Sequence, residues 1–511
     1  MRMAVPADSA IEEEEEQGGP THHPSPPSHE FFDLSTTVDP SYIISLIRKL
    51  LPLGSASDDP NQGTLNHNNT EEGDDALSAS ISNDEHFEPP KNKSENMDVD
   101  VSGEVSHRRG EYKDTTGDGF EHSGVSVGEN AWEEYGCILW DLAASKTHAE
   151  LMVENLVLEV LLANLVVSKS VRANEISIGI IGNLACHEVP MKRIVSTKGL
   201  IEIVVDKLFL DDPQCLCETC RLLTVGLQSG ESVTWAEALQ SEHILCQILW
   251  IVENTLNLQL IEKSIGLILA ILESQQKVLD ALLPPMMELG LASILISLLT
   301  FEMSKLKNER IPERYPILDL ILRAIESLSV IDDHSQEICS SKELFQLICD
   351  LVKFPDKVEV GNCCVTATVL IANILSDVAD HVSEISQDLC LFAGLLDIFP
   401  FASDDLEARN ALWNVIARIM VRVRETEMSP SSVYNYVAVL VRKSDLIEDE
   451  LLNQQLGSTA DARNTSLRRI ISILNQWTAA KESAENNVNA EVLVNETDVK
   501  RLLDCCHKFS K

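Results

Sequence analysis

Basic side chains are scarce in this sequence. Its 511 residues include 40 Lys and Arg against 81 Asp and Glu, which gives a formal net charge of −41. Lys and Arg supply the phosphate contacts of nucleic-acid-binding proteins and the attraction to anionic lipid surfaces. The composition therefore argues against direct nucleic-acid binding and against docking on membranes, and it favours protein partners.

Long apolar runs and targeting segments are also missing. The densest apolar stretch, Leu156 to Val167, contains Glu159 and Asn164, whereas a membrane-spanning helix needs about 18 or more consecutive apolar residues. The N-terminus has no apolar run of the kind that a secretory signal carries, and it becomes acidic at Glu12. The 13 Cys are scattered through apolar helical patterns, which is typical of a reducing compartment. We therefore expect an intracellular protein without a membrane span.

Motifs that carry catalysis or hold a cofactor are absent. The sequence has no GxxxxGK[ST], no GxGxxG after a strand and no HExxH. Its one GxSxG match, Gly124 to Gly128, lies in a polar segment rather than between a strand and a helix. Cys215, Cys217 and Cys220 have the most metal-like spacing, but on a helix the first two side chains point about 200° apart. We expect no enzyme, no cofactor and no metal site.

The sequence divides into two regions of different composition. Residues 1–130 hold 27 Asp and Glu against 8 Lys and Arg, a net charge of −19, and residues 131–511 hold the other 54 and 32, a net charge of −22. The first region has too little apolar surface to offset the entropy lost when its chain is ordered. We therefore interpret residues 1–130 as a disordered acidic region.

One short segment of that region has a helical pattern. Residues 40–51 begin with Pro40, which suits a helix start, and Pro52 follows as a helix stop. Four apolar residues share one face of this predicted helix: Ile43, Leu46, Ile47 and Leu50. Two interpretations remain open: the helix docks on the folded body, or it is a short linear motif for a groove on a partner.

From residue 131 onward, amphipathic helical segments follow one another at a regular interval. Between two of them, Asp212 is suited to an N-cap and Pro213 to a first helical turn. Residue pairs near the helix ends recur at intervals of 42, 43, 42, 59, 46 and 41 residues, namely Asp141-Leu142, Asn183-Leu184, Gly226-Leu227, Ile268-Leu269, Ser327-Leu328, Asn373-Ile374 and Asn414-Val415. A period of about 40 to 47 residues with two or three helices per unit is typical of armadillo and HEAT repeats.

The sequence thus predicts an all-α fold, an armadillo/HEAT-like right-handed superhelical solenoid over residues 131–480, with a capping helix or tail over residues 481–511. Residues 194–206 match residues 338–350 at an offset of 144, which supports the register. The longest interval contains the charged stretch Glu302 to Arg314. We interpret that stretch as a loop insertion of roughly 17 residues into a regular period.

Three Asn residues are candidates for a partner-binding groove. In armadillo arrays the last helix of each unit lines the concave surface, where an Asn amide can hydrogen-bond the backbone of an extended peptide. Asn183, Asn373 and Asn414 are predicted to hold equivalent places on that surface. The alternative is that each one caps or braces a neighbouring helix. The tryptophans that accompany such asparagines in nuclear-import adaptors are missing, so we exclude that class.

Three sequence blocks carry a resemblance to a known family. They are CILWDLAA (Cys137 to Ala144), IGIIGNLACHE (Ile178 to Glu188) and LFLDDPQCLCETCRLL (Leu208 to Leu223). In order and spacing they resemble the serum amyloid A-like one family, often called Saal-type proteins, most specifically over about residues 131–240. The acidic N-terminal region and its YIISLIRKLLP helix are also similar to that family. The resemblance implies a eukaryotic, armadillo-type protein associated with the nucleus, with no established catalytic activity or cofactor.

Three functional hypotheses follow. The first is a non-enzymatic scaffold that binds a partner peptide or helix on its concave face. The second is a chaperone cofactor of the nucleotide-exchange type, by analogy of fold and size. The third assigns the function to the acidic region, which would bind basic nuclear proteins such as histones. Residence in the nucleus rather than the cytoplasm is expected from the resemblance.

Overall fold

The structure is a computed structural model that describes residues 38–52, 127–332, 334–378, 380–423, 428–453, 460–484 and 494–510. The predicted disorder of the acidic region falls on residues 1–37 and 53–126, which lie outside the described residues. Throughout the described ranges every regular element is a helix. The predicted all-α fold is therefore confirmed.

The helices form consecutive three-helix units, numbered here in chain order. The first helices of six units are α3 (Lys146–Glu154), α6 (Glu188–Ser196), α9 (Ser232–Leu239), α12 (Gln276–Glu288), α15 (Ser335–Cys339) and α18 (His381–Ile385). Their second helices are α4 (Val157–Val167), α7 (Leu200–Asp206), α10 (Glu242–Asn254), α13 (Leu291–Asn308), α16 (Lys342–Val352) and α19 (Leu389–Leu396). Their third helices are α5 (Val171–Ala185), α8 (Pro213–Leu227), α11 (Leu258–Leu272), α14 (Tyr315–Ser329), α17 (Gly361–Asp377) and α20 (Leu406–Arg422).

Further helices flank these six units. Before them lie α1 (Pro40–Lys49) and α2 (Val127–Leu142), and after them lie α21 (Pro430–Arg442), α22 (Ser444–Leu452), α23 (Ala460–Ala484) and α24 (Glu496–Phe509). The final helix packs against α21, α22 and α23. A stack in which each unit contacts its neighbours is a solenoid of the armadillo type, as the repeat period predicts.

The third helices of successive units lie side by side. Together with α2 and α23 they form a series that we call the third-helix row: α2, α5, α8, α11, α14, α17, α20 and α23. From α5 onward each helix of the row packs along the next one. The first contact of the row is unusually close, because a Cβ at Gly179 on α5 would lie 2.2 Å from the ring of Trp140 on α2. Glycine at this place leaves room for the Trp140 ring against α5.

Local sequence explains where the third helices begin. Side-chain oxygens before four of them accept a hydrogen bond from the backbone amide of the third helical residue, namely those of Ser170, Asp212, Asn257 and Asp405. Such N-caps satisfy amides that have no partner within the helix. The predicted N-cap at Asp212 and the first-turn place of Pro213 are both confirmed.

The predicted loop insertion between Glu302 and Arg314 is wrong. α13 continues to Asn308 and has 18 residues, so most of the extra length is helix. Glu302 is nearly fully buried and accepts two hydrogen bonds from Arg314, at 2.7 and 2.8 Å. Lys307 and Arg310 then form ion pairs with Asp350 and Asp356 of the following unit. The helix therefore tolerates this charged stretch because Glu302, Lys307 and Arg310 each have a partner of opposite charge.

Candidate partner-binding surface

The third-helix row keeps a set of side chains at least partly exposed, and we call this set the row surface. Its polar members are Glu218, Arg221, Glu262, Lys263, Asp319, Arg323, Glu326, Thr366, Asn373, Glu407, Asn414 and Arg418. The first and second helices pack against the other sides of the row, where nearly all side chains are buried aliphatics. The row surface is thus the polar side of the most buried layer of the solenoid.

Asn183 braces the preceding helix of the row. Its side-chain amide donates a hydrogen bond of 2.9 Å to the backbone carbonyl of Trp140, near the end of α2. Its carbonyl oxygen accepts one of 3.2 Å from Arg221 on α8. Arg221 also donates to the carbonyl of Gly179 and pairs with Glu218. Both ends of the Asn183 amide are therefore engaged within the row.

Asn373 makes an equivalent contact, and Asn414 does not. The amide of Asn373 donates to the hydroxyl of Ser329 on α14, at 3.0 Å. Asn414 is exposed on α20. Counted from the first residue of each helix, Asn183 and Asn373 are both thirteenth, whereas Asn414 is ninth and Arg418 is thirteenth. The structure therefore separates the three predicted groove residues into two bracing asparagines and one exposed one.

Sequence reasoning missed Arg221 and Arg418. Arg418 donates to the carbonyl of Leu375 and to the hydroxyl of Ser376 on α17, at 3.2 Å for the second contact. It therefore braces the preceding helix as Asn183 does. Alignment of the repeats on a small or polar residue followed by an aliphatic one selects Asn414. Alignment on the N-cap Asp405 instead places Arg418 at the thirteenth helical position, the place of Asn183 in α5.

Carboxylates accumulate on the row surface around α14. Burial, and next the negative charge of Glu407, raise the pKa of Glu326 to about 7. Asp405 and Asp319 add to that effect, and burial raises the pKa of Asp319 as well. The nearby Arg323 opposes the shift at Glu326, but its guanidinium also forms an ion pair of 3.0 Å with Glu273. The sequence of α17, which lies between α14 and α20 in the row, contains neither Lys nor Arg.

The four apolar residues of the predicted docking helix lie in the core of the protein. The side chains of Ile43, Leu46, Ile47 and Leu50 are 0 to 3% exposed. α1 packs against α3, and its face is therefore covered by the body in this structure. The backbone carbonyl of Leu50 accepts hydrogen bonds from Trp132 on α2 and from Asn164 on α4, at 3.2 and 2.8 Å.

The cysteine cluster on α8 is part of the core. Cys215, Cys217 and Cys220 are all buried, and burial raises the pKa of each thiol to about 12. Thiolates are the form that binds zinc and acts as a nucleophile, so these thiols are poorly suited to either role. In the part of the chain that the structure describes, no three His, Cys, Asp or Glu residues are arranged to hold a metal ion.

The described ranges also bear on whether the chain could span a membrane. No single helix is long and apolar enough to cross a membrane. The helix pair α12 and α13 reaches the necessary length and composition only when taken together, and it is bent by 72°.

Sequence comparison finds similarity to curated Saal-type proteins. The chain is 25% identical over 232 residues to Protein saal1 of Danio rerio, covering 43% of this chain and 48% of that protein. It is 27% identical over 231 residues to Protein SAAL1 of Homo sapiens, covering 42% of this chain and 48% of that protein. The chain thus matches about half the length of these curated relatives. The predicted resemblance to Saal-type proteins is confirmed by these similarities.

Comparison with family models finds no match. Among solved structures, the chain is similar to a designed armadillo repeat protein, with a TM-score of 0.39 and 13% identity over 49% of this chain and 96% of the other. It is also similar to an engineered protein, with a TM-score of 0.40 and 14% identity over 76% of this chain and 96% of the other.

Proposed function

We propose that this chain is a non-enzymatic protein-interaction scaffold whose row surface binds an extended segment or helix of a partner. Stacked armadillo-type units offer a long continuous surface, which is why this fold suggests protein binding. The similarity to Saal-type proteins adds no catalytic role to this proposal. The partner is further proposed to be basic, and the charge of the row surface supports that choice.

The single observation that supports a basic partner is the group of carboxylates around Glu326. Glu326 is partly buried and close enough to Glu407, Asp405 and Asp319 to hold its proton up to a pH of about 7. Like charges that crowd together are stabilised by an incoming cation. Because α17 supplies no basic side chain and Arg323 also pairs with Glu273, a Lys or Arg of the partner would meet a negative potential that is only partly offset.

The three asparagines have different roles in this proposal. Asn414 is exposed and is proposed to hydrogen-bond the backbone of the partner. Asn183 and Asn373 keep the spacing of the row, because their amides hold neighbouring helices. A partner could hydrogen-bond Asn183 or Asn373 only by replacing a hydrogen bond that already exists within the row.

Fluorescence anisotropy of the full chain with labelled peptides tests the proposal. A ten-residue Lys/Arg-rich peptide is expected to bind, and a Glu-rich peptide of the same length is not. The double variant Glu326→Gln/Glu407→Gln should weaken binding by about tenfold, equivalent to about 1.4 kcal/mol. The matched control Glu242→Gln/Glu253→Gln removes two exposed charges on α10 and should leave affinity unchanged.

Two further readouts distinguish the surface from general charge attraction. Affinity should fall when the pH is lowered from 8 to 6, because Glu326 then takes up a proton. Asn414→Ala should weaken binding of the same peptide by several-fold. Equal affinity in the wild type, the Glu326→Gln/Glu407→Gln variant and the control variant would contradict a site on the row surface.

Residence in the nucleus is part of the proposal, since a basic nuclear protein would be a suitable partner. Imaging of the tagged full chain checks this point. A signal restricted to the cytoplasm would contradict it without affecting the peptide-binding measurement.

A further inference from the structure

The N-terminal end of the solenoid contains a groove that holds an amphipathic helix. The groove is formed by α3 together with Trp132 and Tyr135 of α2 and Asn164 of α4, and α1 occupies it. α1 buries its four apolar side chains, and the Lys49 ammonium lies 4.2 Å from the centre of the Tyr135 ring. We call this the α1 groove.

A polar contact fixes where the bound helix ends. The last turn of a helix leaves carbonyl groups without a partner, and here the carbonyl of Leu50 accepts from both the Trp132 indole and the Asn164 amide. Asn164 is 5% exposed and lies in a helix that is otherwise almost entirely apolar. The Asn164 amide also donates to the carbonyl of Val160, so the Leu50 carbonyl gives this amide a second acceptor inside a buried, apolar surface. The α1 groove is therefore a specific receptor and not merely an apolar surface.

The connection between α1 and the body differs from those inside the units. Two residues separate α3 from α4 and three separate α4 from α5, so these helices can pack only within their own chain. In contrast, 77 residues lie between Lys49 and Val127. A chain of that length spans at most on the order of 250 Å. Covalent connection therefore does not restrict α1 to the groove of its own molecule.

We propose that the α1 groove also binds the α1 helix of a second copy of this chain, so that two copies exchange this helix. The second copy is the occupant that the contacts support, because its α1 necessarily carries the same four apolar side chains and the same free carbonyl. Exchange of an identical element requires no new interface, since each contact in the exchanged pair already exists within one chain. This inference is independent of the row surface and of the basic partner proposed above.

Complementation between two full-chain variants tests the exchange. The helix variant, Ile43→Asp/Ile47→Asp, cannot dock its own α1 but keeps the groove. The groove variant, Trp132→Phe/Asn164→Asp, keeps α1 but removes both donors to the Leu50 carbonyl. Each variant alone should sediment as a monomer, and their mixture should form a complex of one copy of each. A single boundary at the monomer position in the mixture, at about 100 μM, would overturn the proposal.

A labelled peptide of residues 38–52 measures the groove itself. It should bind the helix variant about tenfold or more tightly than the groove variant, and the wild type, whose groove is filled, should bind it weakly. Equal binding to both variants would overturn the assignment of the groove. Circular dichroism checks that both variants keep their helices, and Ile47→Ser with Asn164→Ser is the milder pair if either does not.

Discussion

Two parts of the third-helix row differ in how their polar side chains are used. At α2, α5 and α8, Asn183 and Arg221 donate to backbone carbonyls of the preceding helix, and Gly179 leaves room for the Trp140 ring. At α14, α17 and α20, carboxylates around Glu326 face one another, and Asn414 is exposed. Asn373 and Arg418 brace the helices of this second part as well. Equivalent helices therefore hold the array together in both parts, and the second part adds a cluster of carboxylates.

The close contact of the first part gives the largest expected effect. Gly179→Ala should lower the free energy of unfolding by about 1–3 kcal/mol, because its Cβ would overlap the ring of Trp140. The matched control is Gly266→Ala at the same ninth position of α11, where a Cβ meets nothing within 4 Å. That change should stabilise the helix by about 0.5–1 kcal/mol. Urea unfolding curves measure the free energy of unfolding of both variants. Equal changes would contradict a close contact that is specific to Gly179.

A smaller effect separates bracing asparagines from the exposed one. Asn183→Ala should cost about 1 kcal/mol of stability, because it removes one hydrogen bond to Trp140 and one from Arg221. Asn414→Ala should change stability by no more than about 0.5 kcal/mol, as expected for an exposed site. Thermal unfolding of the two variants tests this. Equal destabilisation would show that Asn414 also braces the row.

The smallest expected effect concerns pH. The pKa of Glu326 is raised from 4.5 to about 7 in the folded state, so folding favours its protonated form. Its contribution to stability is therefore complete below pH 4.5 and is lost as the pH rises through about 7. Glu326→Gln should be more stable than the wild type by about 1 kcal/mol at pH 8, allowing for partial exposure to solvent, and this difference should vanish at pH 5.

Urea unfolding at pH 5 and pH 8 measures this dependence. Glu253→Gln, which removes an exposed carboxylate of α10, is the control and should show the same difference from the wild type at both pH values. A pH-independent effect of Glu326→Gln would contradict a raised pKa of Glu326, from burial and from the neighbouring carboxylates alike.

The repeat architecture was predictable because it depends on local signals. Apolar spacing placed Ile43, Leu46 and Ile47 on one face of a helix, and they are buried. Asp212 and Pro213 correctly marked a helix start. Each of these features depends on residues close together in sequence, which is the range over which periodicity and capping act.

The candidate site was less predictable because it depends on register between units. An interval of 41 residues aligned Asn414 with Asn373, whereas the helix starts place Arg418 there. One helical turn decides whether a side chain braces a neighbour or faces solvent. The lengthened α13 was missed for a related reason, since the partners that neutralise Lys307 and Arg310 lie about 43 to 46 residues further along the chain.

The lengthened α13 bears on how the solenoid would unfold. Lys307 in its last turn contacts Asp350, and Arg310, two residues beyond its end, contacts Asp356. Both contacts cross the boundary between two successive units. In a stack with nearest-neighbour coupling, fraying spreads from an end until it reaches an interface stronger than the others. The two units that these ion pairs join, α12 to α14 and α15 to α17, would then open together. Opening of the α1 end would then leave the carboxylates on α14 and α20 in place.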